Sequence, residues 1–471
     1  MIYLKSRSQE INIPADNPFA NDKLDRLGLC NILTDVVSFY GQSGCVMGLD
    51  GEWGSGKTTF VKMWNQHLRN NGYRTLYFNA WASDYTEDPL IALISELSEL
   101  SPNTDMANRI ATGAVRIGLS AFKGLLKKAT GVDCDSIHDA IDETFNIGKE
   151  YLEKYSEQKT TLDEFKKNVQ NFVADNAGEH PVIFFVDELD RCNSRYAVAV
   201  LERIKHLFEI PNIIFILAIN KKELSNAIQG YYGSSNIDSN EYLRRFIDID
   251  YVLPKPKFEA YCNFLFGEYR FEDFFRSEQR LMHFRSNNED DAFKALALSM
   301  CEEMNVNLRQ MDRVFAYSRL ALMQFASNTY LLPDIYFMLC FWKVIDPSFY
   351  NQISNKAYTV QELLSKLEEK LPISLFQNEN YYHTRSIVFV IACLLYCYDI
   401  TGAGDYPNKR TLECVKNETT GKNEFKIQTK IIDKETLDDA LDWYYQGRSE
   451  NTRYGLRFIF QRIDLLRSFS S

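Results

Sequence analysis

A glycine-rich segment followed by lysine and threonine constrains this chain more than any other feature of its sequence. Residues 51–58 read GEWGSGKT and fit G-x-x-x-x-G-K-[ST] at every fixed position. The apolar run Val46–Leu49 precedes the segment, and a helical pattern from Lys57 to about Arg69 follows it. This strand, loop and helix predict a phosphate-binding P-loop in an α/β domain.

The P-loop assigns a role to each of its residues. Glycines let the backbone turn tightly, so that amide N–H groups point inward at an anion, and the following helix adds its positive end. Lys57 would reach the β- and γ-phosphates, and the Thr58 hydroxyl would ligate Mg²⁺. The predicted nucleotide-binding residues are Gly51, Glu52, Trp53, Gly54, Ser55, Gly56, Lys57, Thr58 and Thr59.

Two carboxylates end a second apolar run, Val182–Val186. A carboxylate at the end of a buried strand needs a partner, and Mg²⁺ near Thr58 is the natural one, so Asp187 is the predicted metal-side carboxylate. Glu188 would polarise a water molecule aimed at the γ-phosphate. The alternatives are a helix N-cap for Asp187 and a salt-bridge partner for Glu188.

A third polar residue, Asn220, follows the apolar run Ile213–Ile219. Its amide would orient the attacking water or touch the γ-phosphate. It would equally serve as the N-cap of a helix that starts near Lys222, and the two roles are compatible.

The apolar runs alternate with helical patterns along the first half of the chain. Thr75–Phe78 is a further strand candidate, while Pro89–Leu100 and Ala197–Glu209 have helical spacing. Fully apolar strands between helices predict an α/β fold with an open parallel sheet covered on both faces. After Pro254–Pro256 the chain is predicted to be almost entirely helical, with Arg410–Cys414 and Lys426–Ile432 as candidate strands of a small hairpin.

Several motifs in order resemble the KAP family of P-loop NTPases. They are Asp16–Phe19 with Asp22 and Leu24, Met47–Thr59 including Trp53, Phe78–Trp81, Asp187–Cys192 (DELDRC), Tyr242–Pro254 and Asn307–Arg313. The DELDRC string is the most diagnostic, and the resemblance covers about residues 15–325.

The resemblance implies a parallel five-stranded core with helices on both faces and hydrolysis of a nucleoside triphosphate, with ATP assumed from the family. The core would comprise residues 1–100 and 179–254, with a helical insertion at 101–178. A helical lid would follow at 255–330 and a mainly helical C-terminal domain at 331–471.

Arginines outside the P-loop also take candidate roles from the resemblance. Arg244, Arg245 and Arg309 are candidates for an arginine finger on the γ-phosphate, with structural salt bridges as the alternative for each. Asp190 and Arg191 either bridge to a neighbouring subunit or pair with each other and shape the loop.

Relatives often carry transmembrane helices in the insertion, whereas this chain has Met106–Thr130, which holds five basic and no acidic residues. Such a segment should not span a bilayer, and it either lies on an anionic membrane surface or packs as an ordinary helix. The N-terminus has no apolar signal region, and the ten cysteines form no CxxC pair. We therefore expect a cytoplasmic protein with free thiols and no zinc site.

The leading functional hypothesis is a Mg²⁺-dependent ATPase that acts as an oligomeric switch or motor. Because some relatives are associated with phage exclusion, the resemblance implies a bacterial defence role, with a separate effector protein as partner. The alternatives are an ATP-binding scaffold with negligible turnover and a nucleic-acid-stimulated translocase, which the net charge of −11 makes less favourable. A small-molecule kinase is disfavoured because Glu188 suits activation of a water molecule better than a bound acceptor substrate.

Overall fold

The computed structural model describes twelve ranges of the chain: 11–86, 88–101, 105–114, 160–207, 210–234, 236–284, 288–329, 331–376, 381–400, 411–418, 421–446 and 456–464. These residues form two compact units, and the boundary lies between Lys255 and Pro256.

A sheet of five parallel strands is the centre of the first unit, in the order β2-β3-β4-β1-β5. The strands are β1 (Cys45–Asp50), β2 (Thr75–Asn79), β3 (Val182–Asp187), β4 (Ile213–Ile219) and β5 (Ile249–Val252). The predicted five-stranded α/β fold is thereby confirmed. Because β4 separates β1 from β3, the tip of β4 lies between the P-loop and Asp187.

Helices cover both faces of this sheet. Along β3, Ile183 and Phe185 pack into one hydrophobic cluster, whereas Phe184 and Val186 pack into the other. Helices α1 (Leu27–Phe39) and α2 (Lys57–Asn70) cover the first face. The opposite face carries α3 (Pro89–Ser98), α4 (105–114), α5 (160–177), α6 (Ser194–Leu207), α7 (Lys221–Tyr232) and α8 (Ser239–Leu243).

The predicted helical insertion is described at its two ends, α4 and α5. Ala107, Ile110 and Ala114 of α4 are buried in the hydrophobic cluster on that face. Residues 106–114 thus pack as an ordinary helix. The remainder of the basic segment, 115–130, lies outside the described residues.

The second unit is mainly helical. One hydrophobic cluster extends from Phe258 to Ile463, so the predicted lid and C-terminal domain contribute to the same core. Its helices are α9 (Phe258–Glu268), α10 (Glu272–Phe275), α11 (Glu278–His283), α12 (Glu289–Glu303), α13 (Leu308–Leu322), α14 (Pro333–Ile345), α15 (Pro347–Ser354), α16 (Val360–Lys370), α17 (Tyr381–Ile400), α18 (Lys434–Tyr445) and α19 (Leu456–Asp464).

A small antiparallel hairpin does form, but not where the sequence placed it. Its strands are β6 (Cys414–Lys416) and β7 (Asn423–Phe425). The prediction of a strand over 426–432 was wrong because the Glu368 carboxylate accepts hydrogen bonds from three of its backbone N–H groups, at Lys430, Ile431 and Ile432. Those N–H groups are therefore not available to a partner strand.

Two further sequence expectations concern membrane-spanning helices and the cysteines. In the described ranges no helix combines the length and apolar character that crossing a bilayer requires. Nine cysteines in these ranges are free thiols, and Cys414 is the exposed one among them.

Candidate functional site

The P-loop turns sharply between β1 and α2. Gly54 and Gly56 have φ angles of 81° and 83°, a left-handed conformation that L side chains rarely adopt. Helix α2 begins at Lys57, so its unpaired N–H groups open towards the loop. In the described part of the chain the buried hydroxyl of Ser55 has no hydrogen-bond partner. A concave loop with an orphaned donor and a helix N-terminus fits a phosphate chain.

Lys57 lies inside this loop and is buried. Its ammonium group donates hydrogen bonds to the carbonyl oxygens of Gly51 and of Glu52, the latter at 3.0 Å. Burial lowers the pKa of Lys57, while the nearby carboxylates of Asp190, Asp187 and Asp50 oppose that shift. An ammonium group held in the loop is suited to pairing with phosphate oxygens.

Asp187 ends β3, and its side chain is 1% exposed. The carboxylate accepts hydrogen bonds from the Tyr77 hydroxyl at 2.9 Å, from the Glu188 backbone N–H at 2.8 Å and from the Thr58 side chain. Burial is the largest influence on its pKa and raises it. A carboxylate and a hydroxyl in contact supply the hard oxygen ligands that Mg²⁺ prefers, so these residues fit the predicted metal site.

Glu188 follows directly in a left-handed conformation with a φ angle of 61°. Its carboxylate accepts a hydrogen bond from the Asn79 amide at 3.1 Å and pairs with Arg191 at 2.6 Å. Strained backbone of this kind is characteristic of functional sites. The ion pair realises the alternative considered from the sequence, and the role of Glu188 as base stays a prediction.

Asp190 and Arg191 do not pair with each other, which corrects one of the two readings of the DELDRC string. Asp190 accepts a hydrogen bond from the indole N–H of Trp53 in the P-loop. Arg191 pairs with Glu188 and places its guanidinium 5.4 Å from the centre of the Trp81 ring. Asp190 thus connects the DELDRC string to the P-loop, and Arg191 connects it to Trp81, which follows β2.

Asn220 caps α7, because its side-chain oxygen accepts a hydrogen bond from the Glu223 N–H at 3.3 Å. It also comes directly after the tip of β4. In the sheet, Ala218 pairs with Asp187 and Ile219 pairs with Asp50, the residue before the P-loop. The capping role is therefore present, and a contact with phosphate or water stays a prediction.

The three arginine-finger candidates have exposed side chains in this single chain. Arg244 pairs with Glu241 at 3.1 Å although its side chain is 74% exposed. Arg245 follows it, and Arg309 lies in α13 of the second unit. The finger role of all three arginines stays a prediction.

Residues that the sequence analysis did not assign also belong to this site. Arg26 donates hydrogen bonds to the Ser55 and Gly56 carbonyls, Asn79 contacts Glu188, and Tyr77 contacts Asp187. Asn79 lies within the Phe78–Trp81 motif, so its position in that motif was the available signal. For Arg26 the available signal in the sequence was its position close to Asp22 and Leu24, two residues of the N-terminal motif.

Comparison with known proteins gives one informative match. Two solved structures of the Aeropyrum pernix ORC2 protein, in ADPNP-ADP complexes and in the ADP form, are 13% and 11% identical, with TM-scores of 0.33 and 0.28. Each alignment covers 90% of this chain and 94% of theirs. No curated protein matches the chain. The model of the KAP family P-loop domain matches residues 28–318, more than half of the sequence. The chain therefore belongs to the KAP family of P-loop NTPases.

Proposed function

We propose that this chain is a Mg²⁺-dependent ATPase that works as an oligomeric switch. The observation that carries the proposal is the hydrogen bond between the Thr58 side chain and the buried Asp187 carboxylate. It brings a hydroxyl at the start of α2 to a carboxylate at the end of β3, beside a loop that holds Lys57. Family membership supports nucleotide binding in general, and the adenine preference is part of the proposal.

In this proposal each side chain has a separate task. The P-loop amides and Lys57 bind the phosphates, while Thr58 and Asp187 hold the magnesium ion. The ion would neutralise charge on the β- and γ-phosphates when bound. Glu188 accepts the proton of the attacking water, since it is one residue beyond the metal-side carboxylate. Asn220 orients that water from the tip of β4.

The contacts of Glu188 imply that basal turnover is low. The carboxylate oxygens of Glu188 are engaged by Asn79 and Arg191, so they are not free to accept a hydrogen bond from the attacking water. Hydrolysis would then depend on a trigger that separates Glu188 from Arg191. The same observation favours the second candidate, a nucleotide-dependent scaffold whose turnover is negligible.

The biological role rests on the family resemblance. We propose a cytoplasmic defence protein against phage that forms homo-oligomers and recruits a separate effector protein. Arg244, Arg245 or Arg309 of one subunit would stabilise the charge that develops on a neighbour's γ-phosphate. Of the basic segment Met106–Thr130, the part beyond the packed residues 106–114 is the candidate for peripheral contact with an anionic membrane.

Phosphate release from the purified protein tests the ATPase proposal. We expect turnover with Mg²⁺, loss of turnover with EDTA, and a decrease of about 10²–10⁴-fold in Glu188→Gln with ATP affinity retained. Lys57→Ala should lose ATP affinity by roughly 10–100-fold, because it removes a charge-assisted hydrogen bond. Unchanged affinity in Lys57→Ala would contradict the phosphate site.

A second set of measurements separates the alternatives. ATP-dependent growth in particle size supports the oligomeric switch. Tight ATP binding with no turnover, with and without candidate triggers, supports the scaffold. A rise in turnover on adding DNA or RNA supports the translocase and contradicts the switch as proposed.

A further inference from the structure

We infer that Arg26 is a positioning residue that fixes two peptide groups of the P-loop so that the N–H groups of Gly56 and Lys57 face the bound phosphates. The inference rests on the proposed nucleotide site and adds to it a residue that would not touch the nucleotide. Arg26 lies directly before α1, which places it on the sheet face that α1 and α2 cover.

The guanidinium of Arg26 contacts the P-loop through its carbonyl oxygens. One terminal nitrogen donates to the Ser55 carbonyl at 2.8 Å, and the other donates to the Gly56 carbonyl at 3.3 Å. A longer contact of 3.5 Å reaches the Pro254 carbonyl just beyond β5. Arg26 therefore joins the P-loop to the segment that ends the sheet.

Peptide geometry converts these contacts into a direction for the amide donors. In a planar trans peptide the C=O of one residue and the N–H of the next point in opposite directions, and the described chain has no cis peptide. The Ser55 carbonyl points at Arg26, and the Gly56 carbonyl accepts from both Arg26 and the Phe60 N–H of α2, the latter at 3.0 Å. The N–H groups of Gly56 and Lys57 therefore point away from these donors. The proposed function places the phosphates on that side of the loop.

Glycine makes such a constraint necessary at this point. With a φ angle of 83°, Gly56 has a conformation that glycine reaches easily and also leaves easily. The Phe60 N–H holds the Gly56 carbonyl, while Arg26 holds the Ser55 carbonyl and adds a second donor at Gly56, so Arg26 reduces this freedom mainly at the peptide group before Gly56. Preorganised donors lose less entropy on binding than donors that must first be ordered.

Arginine suits this position better than lysine. The side chain is buried, and burial lowers the pKa of Arg26 to about 10 while Asp22 opposes that shift, so the group remains cationic at neutral pH. Asp22 also accepts hydrogen bonds from the backbone N–H groups of Leu24 and Arg26, which fixes the start of α1. A planar fork spans two carbonyl oxygens, whereas an ammonium group is a single point charge.

The test compares Arg26→Met and Arg26→Lys with a matched control in the second unit. Arg319 is also a buried arginine that donates to a backbone carbonyl, that of Tyr269 at 2.9 Å, and Arg319→Met controls for loss of a buried cation. We expect the Kd for Mg-ATP and Mg-ADP to rise about 10-fold or more in Arg26→Met, which loses charged hydrogen bonds that order the loop. Arg26→Lys should lie between this variant and the wild type, and Arg319→Met should equal the wild type.

Hydrogen exchange in the nucleotide-free protein supplies a readout that is independent of ligand binding. The hydrogen-bonded amides of residues 51–58, which include Gly51 bonded to the Ile219 carbonyl and Ser55 bonded to the Glu52 carbonyl, should exchange faster in Arg26→Met and, to a smaller extent, in Arg26→Lys, but not in Arg319→Met. If Arg26→Met does not fold, Arg26→Lys decides by the same two measurements.

The outcomes separate this inference from the proposed function. A wild-type protein that fails to bind Mg-ATP overturns the proposed function, and exchange of residues 51–58 then decides the role of Arg26. A wild-type protein that binds, together with Arg26 variants of unchanged Kd and unchanged exchange, overturns the inference alone. Equal losses of Mg-ATP affinity in Arg26→Met and Arg319→Met would likewise overturn the inference, because they would show that Arg26 only stabilises the fold.

Discussion

The indole N–H of Trp53 donates a hydrogen bond to the carboxylate of Asp190, 137 residues further along the chain. This bond connects the P-loop with the DELDRC string, the two most specific motifs of the sequence. The bond also assigns both residues a structural role that the two sequence motifs do not indicate. A change in the P-loop on nucleotide binding would be transmitted through this hydrogen bond to the residues that follow β3.

A double-mutant cycle measures this bond. Trp53→Phe leaves a buried carboxylate without its donor and should cost about 1–3 kcal/mol of unfolding free energy. Asp190→Leu removes the acceptor, and in the double variant neither partner is left unsatisfied. We therefore expect the double variant to be more stable than the sum of the single changes by about 1–2 kcal/mol, measured by circular dichroism in denaturant. Additive effects would show that the bond contributes nothing.

Removing the partner of Glu188 tests whether the ion pair restrains the base. The side chains of Arg191 and Glu188 are 25% and 14% exposed, so the pair is only partly screened by water. If their interaction is worth about 1 kcal/mol, Arg191→Met should raise basal phosphate release by roughly 5-fold.

Arg203→Met is the matched control for this variant. Arg203 pairs with Asp88 at 2.8 Å with similar exposure, and neither residue contacts Glu188 in the structure. Its turnover should equal that of the wild type. A fall in turnover for Arg191→Met, with Arg203→Met unchanged, would show instead that Arg191 holds Glu188 in its productive orientation.

The features that the sequence predicts well are those set by local chemistry. Runs such as Val182–Val186 and Ile213–Ile219 are apolar on both faces, which is typical of a covered parallel strand. Strand β5 is different, because it lies at the sheet edge with half of its residues exposed. Its composition therefore does not distinguish it from a loop.

Side-chain partners across long separations escaped prediction for another reason. Asp190 and Arg191 are neighbours of opposite charge, which suggests a pair, yet Trp53 and Glu188 compete for them more favourably. Arg26 contacts Pro254 across 228 residues. Neither spacing nor composition encodes such contacts, because they depend on strand order and on the packing of α1 beside the P-loop.

Two variants of Asn220 separate its capping role from a catalytic one. Asn220→Ala removes the cap of α7 and should cost about 1 kcal/mol of stability, whereas Asn220→Ser retains an oxygen acceptor and should be nearly neutral. If the amide orients water or phosphate, both variants should lose turnover on the order of 10²-fold. Thermal unfolding and phosphate release measure the two effects. Normal turnover in Asn220→Ser would restrict Asn220 to the capping role.

Asp334 should make the stability of the second unit depend on pH. It lies in the first turn of α14, where burial raises its pKa to about 6. Because this pKa exceeds the unfolded value of about 3.9, the contribution to stability is present at low pH and is lost as pH rises through about 6. Asp334→Asn removes the charge and should be about 2–3 kcal/mol more stable than wild type at pH 8. Unfolding midpoints between pH 4.5 and 8 should show this gap closing as pH falls.

Asp433, the N-cap of α18, supplies a control with the opposite sign. Hydrogen bonds from the Thr436 side chain and backbone lower its pKa, so its contribution to stability is present above the unfolded value and is lost as pH falls through the lowered pKa. Wild type should therefore be more stable than Asp433→Asn at neutral pH, and this advantage should shrink in acid.

Should the gap between wild type and Asp334→Asn stay constant from pH 4.5 to 8, Asp334 would not titrate in this range, and burial would not be what governs its charge.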